Sequence, residues 1–412
     1  MTTANDVANR RFRIWIGALA LLMLLALAAW IYELSFGLAT TGMRGVISWG
    51  LYIFTFAFFV KLSAGGLIVA SSAEVFGISP LRALARLGVL TAAACILVAA
   101  ITIIPDLGRP DRAMNLLLHP NFRSPMIWDA AVVALYLAFA VWELRLMSVR
   151  PATEKTRRRL RLLAFAGLPA AFALHSITAW IFGLQVSRPF WNTALMAPLF
   201  VVSAILSGTA LMTIIAGALQ KFAGVKLPES TWRKLSGLMA VSLAIDLFFL
   251  FSEYLTVLWA GVPAEMAALK MILPGGGFEW LFWQEWIIGG IVPFLLLVMP
   301  KTRQRIGAVI TGAVLILVGV YAFQIQLTTV GLANPLIQLA PGTSLGTYAP
   351  GESVFQLTGK YAPTWVEYAI IIGLVAFGAM LVTLGYRYLG LSELRSHASE
   401  VASPEMRRAE GA

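Results

Sequence analysis

Ten apolar runs, each about 20 residues long, dominate this chain of 412 residues, in which 12% of the residues are charged. An α-helix needs about 20 residues to cross the ~30 Å hydrocarbon layer of a bilayer. The runs are continuously apolar rather than alternating with period two, so they predict helices and exclude the strands of a membrane barrel. The sequence therefore predicts an all-α polytopic membrane protein with about ten transmembrane helices. The runs cover approximately residues 14–33, 46–70, 87–104, 126–146, 160–183, 194–219, 235–260, 281–299, 306–327 and 364–388.

Lys and Arg are concentrated in the N-terminal arm, the even-numbered connections and the C-terminal tail, with seven of them between Arg145 and Arg161. Cytoplasmic loops of membrane proteins are enriched in Lys and Arg. Both termini are therefore predicted to be cytoplasmic, in the cytoplasmic membrane of a bacterium or archaeon, and the odd-numbered connections are predicted to face outward. The same asymmetry accounts for the net charge of +11, which does not indicate nucleic-acid binding.

Three regions follow from this layout. They are a cytoplasmic N-terminal arm at 1–13, a transmembrane domain at 14–388 and a cytoplasmic tail at 389–412 that is expected to be disordered. The basic residues Arg10 and Arg11 before the first run also suit a cleaved signal peptide, which would leave nine spans in the same orientation. An uncleaved first helix is the preferred interpretation.

Cysteine and histidine are scarce: the chain has one cysteine, Cys95, and three histidines, of which only His175 lies in an apolar run. A haem inside a membrane normally needs two axial histidines in helices, and iron–sulfur clusters need several cysteines. The sequence therefore predicts that this chain binds no haem, iron–sulfur cluster or other metal by itself. Any redox role would depend on a diffusible carrier or on another subunit.

Ionisable residues inside the runs are costly in lipid and are therefore functional candidates. Asp246 and Glu253 are seven residues apart, which places them two turns apart on one helix face. We predict a proton path formed by Asp246, Glu253, Lys61 and Glu143. The alternative is that such residues pair with one another or cap helices, and this applies equally to Glu285 and Glu367.

An unusually polar connection, IPDLGRPDRAMNLLLHPNFRSPMIWD at residues 104–129, interrupts the apolar pattern on the predicted outer side. Together with His175 and Glu253 it lies at the depth of the outer third of the membrane. A quinone needs an apolar cleft with a few polar groups that bind its oxygens and exchange protons. The outer third is therefore the place where such a cleft is expected.

A faint internal repeat links this connection to the seventh one. Gly108-Arg109-Pro110 is followed by Pro120, and Gly261-Val262-Pro263 is followed by Pro274 at nearly the same spacing. The two connections are four spans apart, so both lie on the outer side. This arrangement predicts two parallel four-helix bundles, spans 2–5 (residues 46–183) and 6–9 (residues 194–327), with the first and last helices at the periphery.

Several motifs together resemble the NrfD/PsrC-type membrane subunits, over about residues 45–370. Lys61, just before Ser63-Ala64-Gly65-Gly66, departs from the glycine expected there. Ten spans resemble the hydrogenase-associated and sulfite-reductase-complex members of the family. The motifs are Asp106-Leu107-Gly108-Arg109-Pro110, His119-Pro120-Asn121-Phe122, Ser124-Pro125-Met126-Ile127-Trp128, His175-Ser176, Arg188-Pro189-Phe190-Trp191, Glu253-Tyr254 and Tyr361-Ala362-Pro363-Thr364-Trp365-Val366-Glu367.

The resemblance implies a quinone-interacting subunit of a multi-subunit respiratory oxidoreductase, without redox cofactors of its own. Electrons would pass between menaquinol or ubiquinol and a ferredoxin-like iron–sulfur subunit docked on the outer face, with further catalytic or cytochrome subunits beyond it. The ninth connection, 328–363, is predicted to dock that partner. On this interpretation, the quinone-binding residues are Asp106, Arg109, His119, Ser124, Trp128, His175 and Glu253.

Two other classes of protein share some of these features. A secondary transporter or a proton-conducting protein without a redox role would also show ten spans, a repeat and buried carboxylates. Transporters tend to break helices near the membrane midplane, whereas the clearest Gly/Pro clusters here lie in outer connections. A passive membrane anchor would not require the buried pair Asp246 and Glu253.

Overall fold

Ten long helices form the protein in a computed structural model that describes residues 4–75, 79–149, 153–225, 227–333 and 361–389. No strand occurs in these ranges. Each of the ten is long and apolar enough to cross a membrane, so the predicted all-α polytopic class and the ten spans are confirmed. They are α1 (Ala4–Phe36), α2 (Leu51–Val75), α3 (Ser79–Asp106), α4 (Pro125–Ser148), α5 (Glu154–Gly183), α6 (Met196–Ala218), α7 (Glu229–Ala260), α8 (Glu279–Val298), α9 (Ile306–Ala333) and α10 (Trp365–Tyr388).

The first helix differs from its predicted start. α1 begins at Ala4 and so includes most of the predicted arm at 1–13. An apolar run marks only the part of a helix that suits lipid, whereas the backbone continues in helical form through polar residues until a breaker stops it. The tail from residue 390 onward and most of the ninth connection, 334–360, lie outside the described residues.

α8 is irregular along its length. It begins as an α-helix at Glu279–Trp283, continues as a π-helix at Gln284–Ile291 and returns to α-helical form at Val292–Val298. A Cβ atom on Gly289 would overlap the backbone of Gly319 in α9, so the two helices cross at close range there. π-helical turns inside α-helices are rare and are frequent at functional sites.

Contacts between neighbouring helices form two rings. Helices α2, α3, α4 and α5 contact each other in order and close on α2, and α6, α7, α8 and α9 do the same. The rings meet where α2 crosses α6 at Gly65 and Gly208, whose backbones are too close for a side chain on either residue. α1 pairs with α10, and α10 packs on α3 and α2. The internal repeat that would relate the two rings stays a prediction.

One end of the bundle carries the odd-numbered connections, and it is called the predicted outer face below. Its segments are fastened by side chains that bond distant backbone groups. Trp191 Nε1 donates to the carbonyl oxygen of Leu327 at 2.6 Å. The hydroxyl of Tyr361 accepts from Leu51 N at 2.6 Å and donates to the carboxylate of Glu367. Burial, followed by this bond to Glu367, raises the pKa of the Tyr361 phenol. These contacts hold the segment before α6 against α9 and the segment before α10 against the start of α2.

Candidate functional site

The polar connection after α3 is held by its own short-range contacts and is open at the surface. Gly108 has φ 61°, a left-handed conformation that glycine adopts readily, and turns the chain away from α3. Arg109 Nη2 lies 2.9 Å from Asp111 Oδ2, with 64% and 59% of the two side chains exposed. Ser124 caps α4, and Trp128 Nε1 donates to the carbonyl oxygen of Phe122 at 2.7 Å. His119 is exposed at the end of a one-turn helix.

Asp106, at the end of α3, faces a different group of residues. It lies within electrostatic range of Glu33 from α1 and Glu367 from α10. Glu33 accepts a hydrogen bond from the hydroxyl of Tyr52. Glu367 accepts bonds from Gly42 N at 2.7 Å and from Thr364 N at 2.9 Å, so its carboxylate works as a helix cap and loop clamp.

His175 lies in the interior of the first ring. Its Nδ1 is 2.6 Å from the carbonyl oxygen of Ala171, and its Nε2 is 3.1 Å from that of Val60. The side chain is 1% exposed, so both ring nitrogens are engaged with backbone inside the packed helices. In the same ring Asp129 accepts a 2.5 Å bond from Thr178 Oγ1.

Glu253 lines a cavity of about 170 Å³ between α6, α7, α9 and the short helix Pro263–Ile272. Its carboxylate accepts a 2.8 Å hydrogen bond from Thr193 Oγ1. Two further lining residues bond each other: Gln326 Nε2 donates to the Tyr254 hydroxyl at 2.9 Å. The remaining lining is mostly apolar and aromatic: Pro189, Phe190, Asn192, Leu195, Met196, Leu199, Phe249, Leu250, Thr256, Val257, Glu265, Leu269, Phe323 and Leu327.

A second, smaller cavity of about 20 Å³ lies deeper in the second ring and is lined by Asp246, Glu285 and Ser203. Its volume is enough for about one water molecule. The two cavities share a wall formed by Leu199, Leu250 and Phe323. The deeper cavity is therefore the direct inward neighbour of the cavity that Glu253 lines.

Lys61 from α2 reaches this region from the first ring. Its Nζ lies 3.3 Å from Ser203 Oγ, 4.0 Å from the centre of the Phe200 ring and 4.6 Å from that of Phe323. It is completely buried and lies within electrostatic range of Asp246 and Glu285. The ammonium group is thus stabilised by two aromatic faces and by two carboxyl groups of the other ring.

Glu143, the fourth residue of the predicted proton path, lies at the predicted inner end of α4. It is buried and lies within electrostatic range of Tyr136, whose hydroxyl donates to the carbonyl oxygen of Ser63 at 3.1 Å. It does not line either of the two cavities described above.

The predicted quinone-binding residues therefore occupy separate places. Arg109, His119, Ser124 and Trp128 lie in or beside the polar connection, Asp106 faces Glu33 and Glu367, and His175 lies in the first ring. Only Glu253 lines the larger cavity. Of the residues around the cavities, Thr193, Gln326 and Phe323 were not anticipated. The signal for Gln326 was available, because α9 carries Gln324, Gln326, Thr328 and Thr329 in one buried stretch of an apolar run.

Metal ligands are sparse in the part of the chain that the structure describes. Within those residues, no group of three or more His, Cys, Asp or Glu side chains is arranged to hold a metal ion. Cys95 is buried in α3 as a free thiol. The polar groups that line the larger cavity are two carboxylates, two hydroxyls, two amides and a phenol, which suit a ligand with oxygen atoms that exchange protons. They belong to Glu253, Glu265, Thr193, Thr256, Asn192, Gln326 and Tyr254.

Known proteins of one family match this chain along most of its length. It is 38% identical over 405 residues, 93% of both chains, to the "Putative dimethyl sulfoxide reductase membrane subunit" of Halobacterium salinarum. It is 28% identical to the "Hdr-like menaquinol oxidoreductase integral membrane subunit" of Archaeoglobus fulgidus, over 89% of this chain and 90% of that one. It is 23% identical to the "Menaquinone reductase, integral membrane subunit" of Nitratidesulfovibrio vulgaris, over 92% and 91% of the two chains. Residues 39–334 match the family described as "Polysulphide reductase, NrfD", and the chain belongs to this family.

Proposed function

We propose that this protein is the quinol-interacting membrane subunit of an oxidoreductase complex and that quinol binds in the cavity at Glu253. The cavity carries the proposal because it combines an apolar, aromatic lining with a carboxylate at its edge. Relatives named as menaquinol oxidoreductase and menaquinone reductase subunits support the same assignment. Menaquinol and ubiquinol have the same reactive groups, two ring hydroxyls, so the proposal covers both.

The size of the cavity fits part of a quinol rather than all of it. Pockets that enclose a complete drug-sized ligand measure about 300–1,000 Å³, and this one measures about 170 Å³. A single ring with its substituents is the part that would enter. Thr256 and Asn192 line the cavity and are exposed, so the isoprenoid chain would leave between α6 and α7 toward the lipid.

Glu253 is the residue we assign to proton exchange with the quinol. Thr193 fixes the carboxylate by a hydrogen bond, which leaves the other carboxylate oxygen available to a ligand hydroxyl. Tyr254 and Gln326 present a phenol and an amide to the same cavity and would position the second ring oxygen. Oxidation of the quinol releases two electrons and two protons, and Glu253 takes up a proton as a ring O–H bond breaks.

The electrons need an acceptor outside this chain, and we propose an iron–sulfur subunit of ferredoxin-like type docked on the predicted outer face. The cavity opens close to that face, beside the segment of residues 189–196. We assign the polar connection after α3 to the docking surface, because Arg109, Arg112 and Arg123 are exposed there. The partner surface would then be acidic.

The test uses the complex purified from membranes through a tag on this chain. Glu253→Gln is expected to lower quinol oxidation by about 100-fold, the usual scale for loss of a general base. Thr193→Val should give a smaller loss, because it removes only the group that orients the carboxylate. Ser252→Ala is the matched control, since Ser252 adjoins Glu253 and bonds its own helix at the carbonyl oxygen of Phe248. Full activity of Glu253→Gln with quinol as donor would overturn this site.

A further inference from the structure

We infer that Lys61, Asp246 and Glu285 form a proton-exchange centre that serves the quinol site through the wall at Phe323. The inference rests on the proposed function, because it names the residues that receive the protons released by quinol at Glu253. The centre joins the two rings, because Lys61 belongs to α2, whereas Asp246 and Glu285 belong to α7 and α8.

The first argument is that the carboxyl groups lack protein partners at hydrogen-bond geometry. Asp246 Oδ1 and both oxygens of Glu285 are buried without a hydrogen-bond partner among the described residues. Tyr254 and Gln326 interact with Glu285 at longer range and bond each other. Both carboxyl groups line the 20 Å³ cavity, so the unpartnered oxygens border a space of the size of one water molecule. Buried polar groups in proteins are almost always paired, and an exception requires a ligand or a functional reason.

The second argument is the backbone at Glu285. The π-helical stretch Gln284–Ile291 adds residues to each turn and displaces the carboxyl group from the register of a regular helix. Gly289 and Gly290 in this stretch allow α9 and Leu247 of α7 to approach closely. The local structure therefore accepts an irregular helix in order to hold Glu285 beside Asp246.

The third argument is charge. Two carboxyl groups share the centre with one ammonium group, so the second carboxyl is most stable when it carries a proton. The titratable groups around Lys61 are Asp246 and Glu285 from the second ring and His175 from α5, which contacts the backbone oxygen of Val60. The ammonium group is held by Phe200, Phe323 and Ser203. The ammonium group and the two carboxyl groups therefore form one charge cluster through which a proton enters and leaves.

The fourth argument is the shared wall. Phe323 lines both cavities, and its ring also lies under the ammonium group of Lys61. A rotation of this one ring would join the cavities and loosen the support of Lys61 at the same time. When Glu253 has taken a proton from quinol, the proton passes by water across this wall to Asp246 or Glu285. The second ring proton leaves through Glu253 in the same way, and the two electrons go to the partner subunit, so both protons and both electrons of the quinol are accounted for.

The experiment uses the purified complex in liposomes, with quinol as donor, an artificial electron acceptor and a pH-sensitive dye. We expect Glu285→Gln and Asp246→Asn to lose most of the proton movement per electron, at whatever rate of quinol oxidation each variant retains. Glu229→Gln is the matched control, because Glu229 is an exposed carboxylate in the first turn of α7. An unchanged proton-to-electron ratio in both variants would overturn the inference. If the wild-type complex does not oxidise quinol at all, the proposed function is wrong instead.

A second measurement starts from the wild-type complex. Infrared difference spectra of the wild-type complex, with quinol added, report the C=O band of protonated carboxyl groups. We expect this band to change in the wild type. An imposed pH step should still change the band in Glu253→Gln, whereas the change should be absent from Glu285→Gln. If the wild-type complex oxidises quinol and only the C=O band of Glu253 changes, the inferred proton-exchange centre is wrong. Phe323→Ala should accelerate the pH-step response, because it opens the wall.

Discussion

The two rings bury ionisable side chains in opposite ways. In the first ring, His175 and Asp129 are engaged with Ala171, Val60 and Thr178 at hydrogen-bond distance. In the second ring, Asp246 Oδ1 and both oxygens of Glu285 border a cavity, and none of the three has a partner at hydrogen-bond geometry among the described residues. Paired polar groups stabilise a packed core, whereas unpaired ones border space in which a ligand or water is accommodated.

On the proposed function, the two helix rings divide structural and chemical tasks. The first ring supplies rigid packing, with Gly65 and Gly66 of α2 pressed against α6 and α3. The second ring supplies cavities, an irregular helix and the carboxylate of Glu253. Lys61 is the exception, since it starts in the first ring and places its charge in the second. The predictions below test this division, and the largest expected effect comes first.

Replacement of Lys61 by methionine should have the largest effect on stability. The change leaves Asp246 and Glu285 buried without a cation, and loss of one partner from a buried charge cluster costs about 3–5 kcal/mol of unfolding free energy. Thermal unfolding of the detergent-purified protein measures it. The double variant Lys61→Met with Asp246→Asn should recover part of the loss. Lys221→Met, at an exposed lysine after α6, is the control and should leave the unfolding temperature unchanged.

If Lys61→Met unfolds at the wild-type temperature, Lys61 does not stabilise the carboxyl pair. The first ring would then make no electrostatic contribution to the second. Lys61 would no longer be an exception to the division of tasks between the two rings.

Gly65→Ala should break the crossing of the rings with the next largest effect. A Cβ atom there would overlap the backbone of Gly208, so α2 and α6 must move apart, and overpacking of this kind costs about 1–3 kcal/mol. Gly237→Ala is the control, because no atom lies within 4 Å of its added Cβ. Unfolding midpoints of the two variants are compared under the same conditions. Equal midpoints for the two variants would show that the rings are not held by this close contact.

His175→Gln should separate stability from chemistry. It disturbs the buried contacts with Ala171 and Val60 and should lower stability by about 1–3 kcal/mol. Quinol oxidation per folded complex should stay near the wild-type rate, unlike that of Glu253→Gln. His119→Gln, at an exposed histidine, is the control for both measurements. A strong loss of quinol oxidation in folded His175→Gln would show that the first ring takes part in the chemistry.

The ten helices were predictable from sequence because a span is encoded locally, by the length and continuity of an apolar run. The shared helix face of Asp246 and Glu253 was equally predictable from the local sequence. Their seven-residue spacing predicts one face, and the structure shows Leu250 between them on the wall that both cavities share.

The grouping of the site could not be predicted in the same way. Sequence gives the depth of a residue in the membrane but not its lateral position. Trp128, His175 and Glu253 were predicted at similar depths, yet they belong to α4, α5 and α7 and face different surroundings. The π-helical register that places Glu285 beside Asp246 depends on packing of Gly289 against α9, which no local pattern reveals.

Arg109→Ala should have the smallest effect on the protein itself and should act only on its partner. Arg109 is exposed, and its hydrogen bond lowers the pKa of Asp111, so the pair persists below the ordinary titration range of an aspartate, about 4. We expect the unfolding temperature and the binding of a quinone analogue to match the wild type. Binding of the proposed iron–sulfur partner should weaken, and the strength of that binding in the wild type should not vary between about pH 5 and pH 8 on account of this pair. Arg44→Ala, at a residue whose guanidinium bonds the backbone oxygens of Thr41 and Met43, is the control. Weakened analogue binding in Arg109→Ala would return the polar connection to the quinol site, because Arg109 would then act on the ligand and not only on the docked subunit.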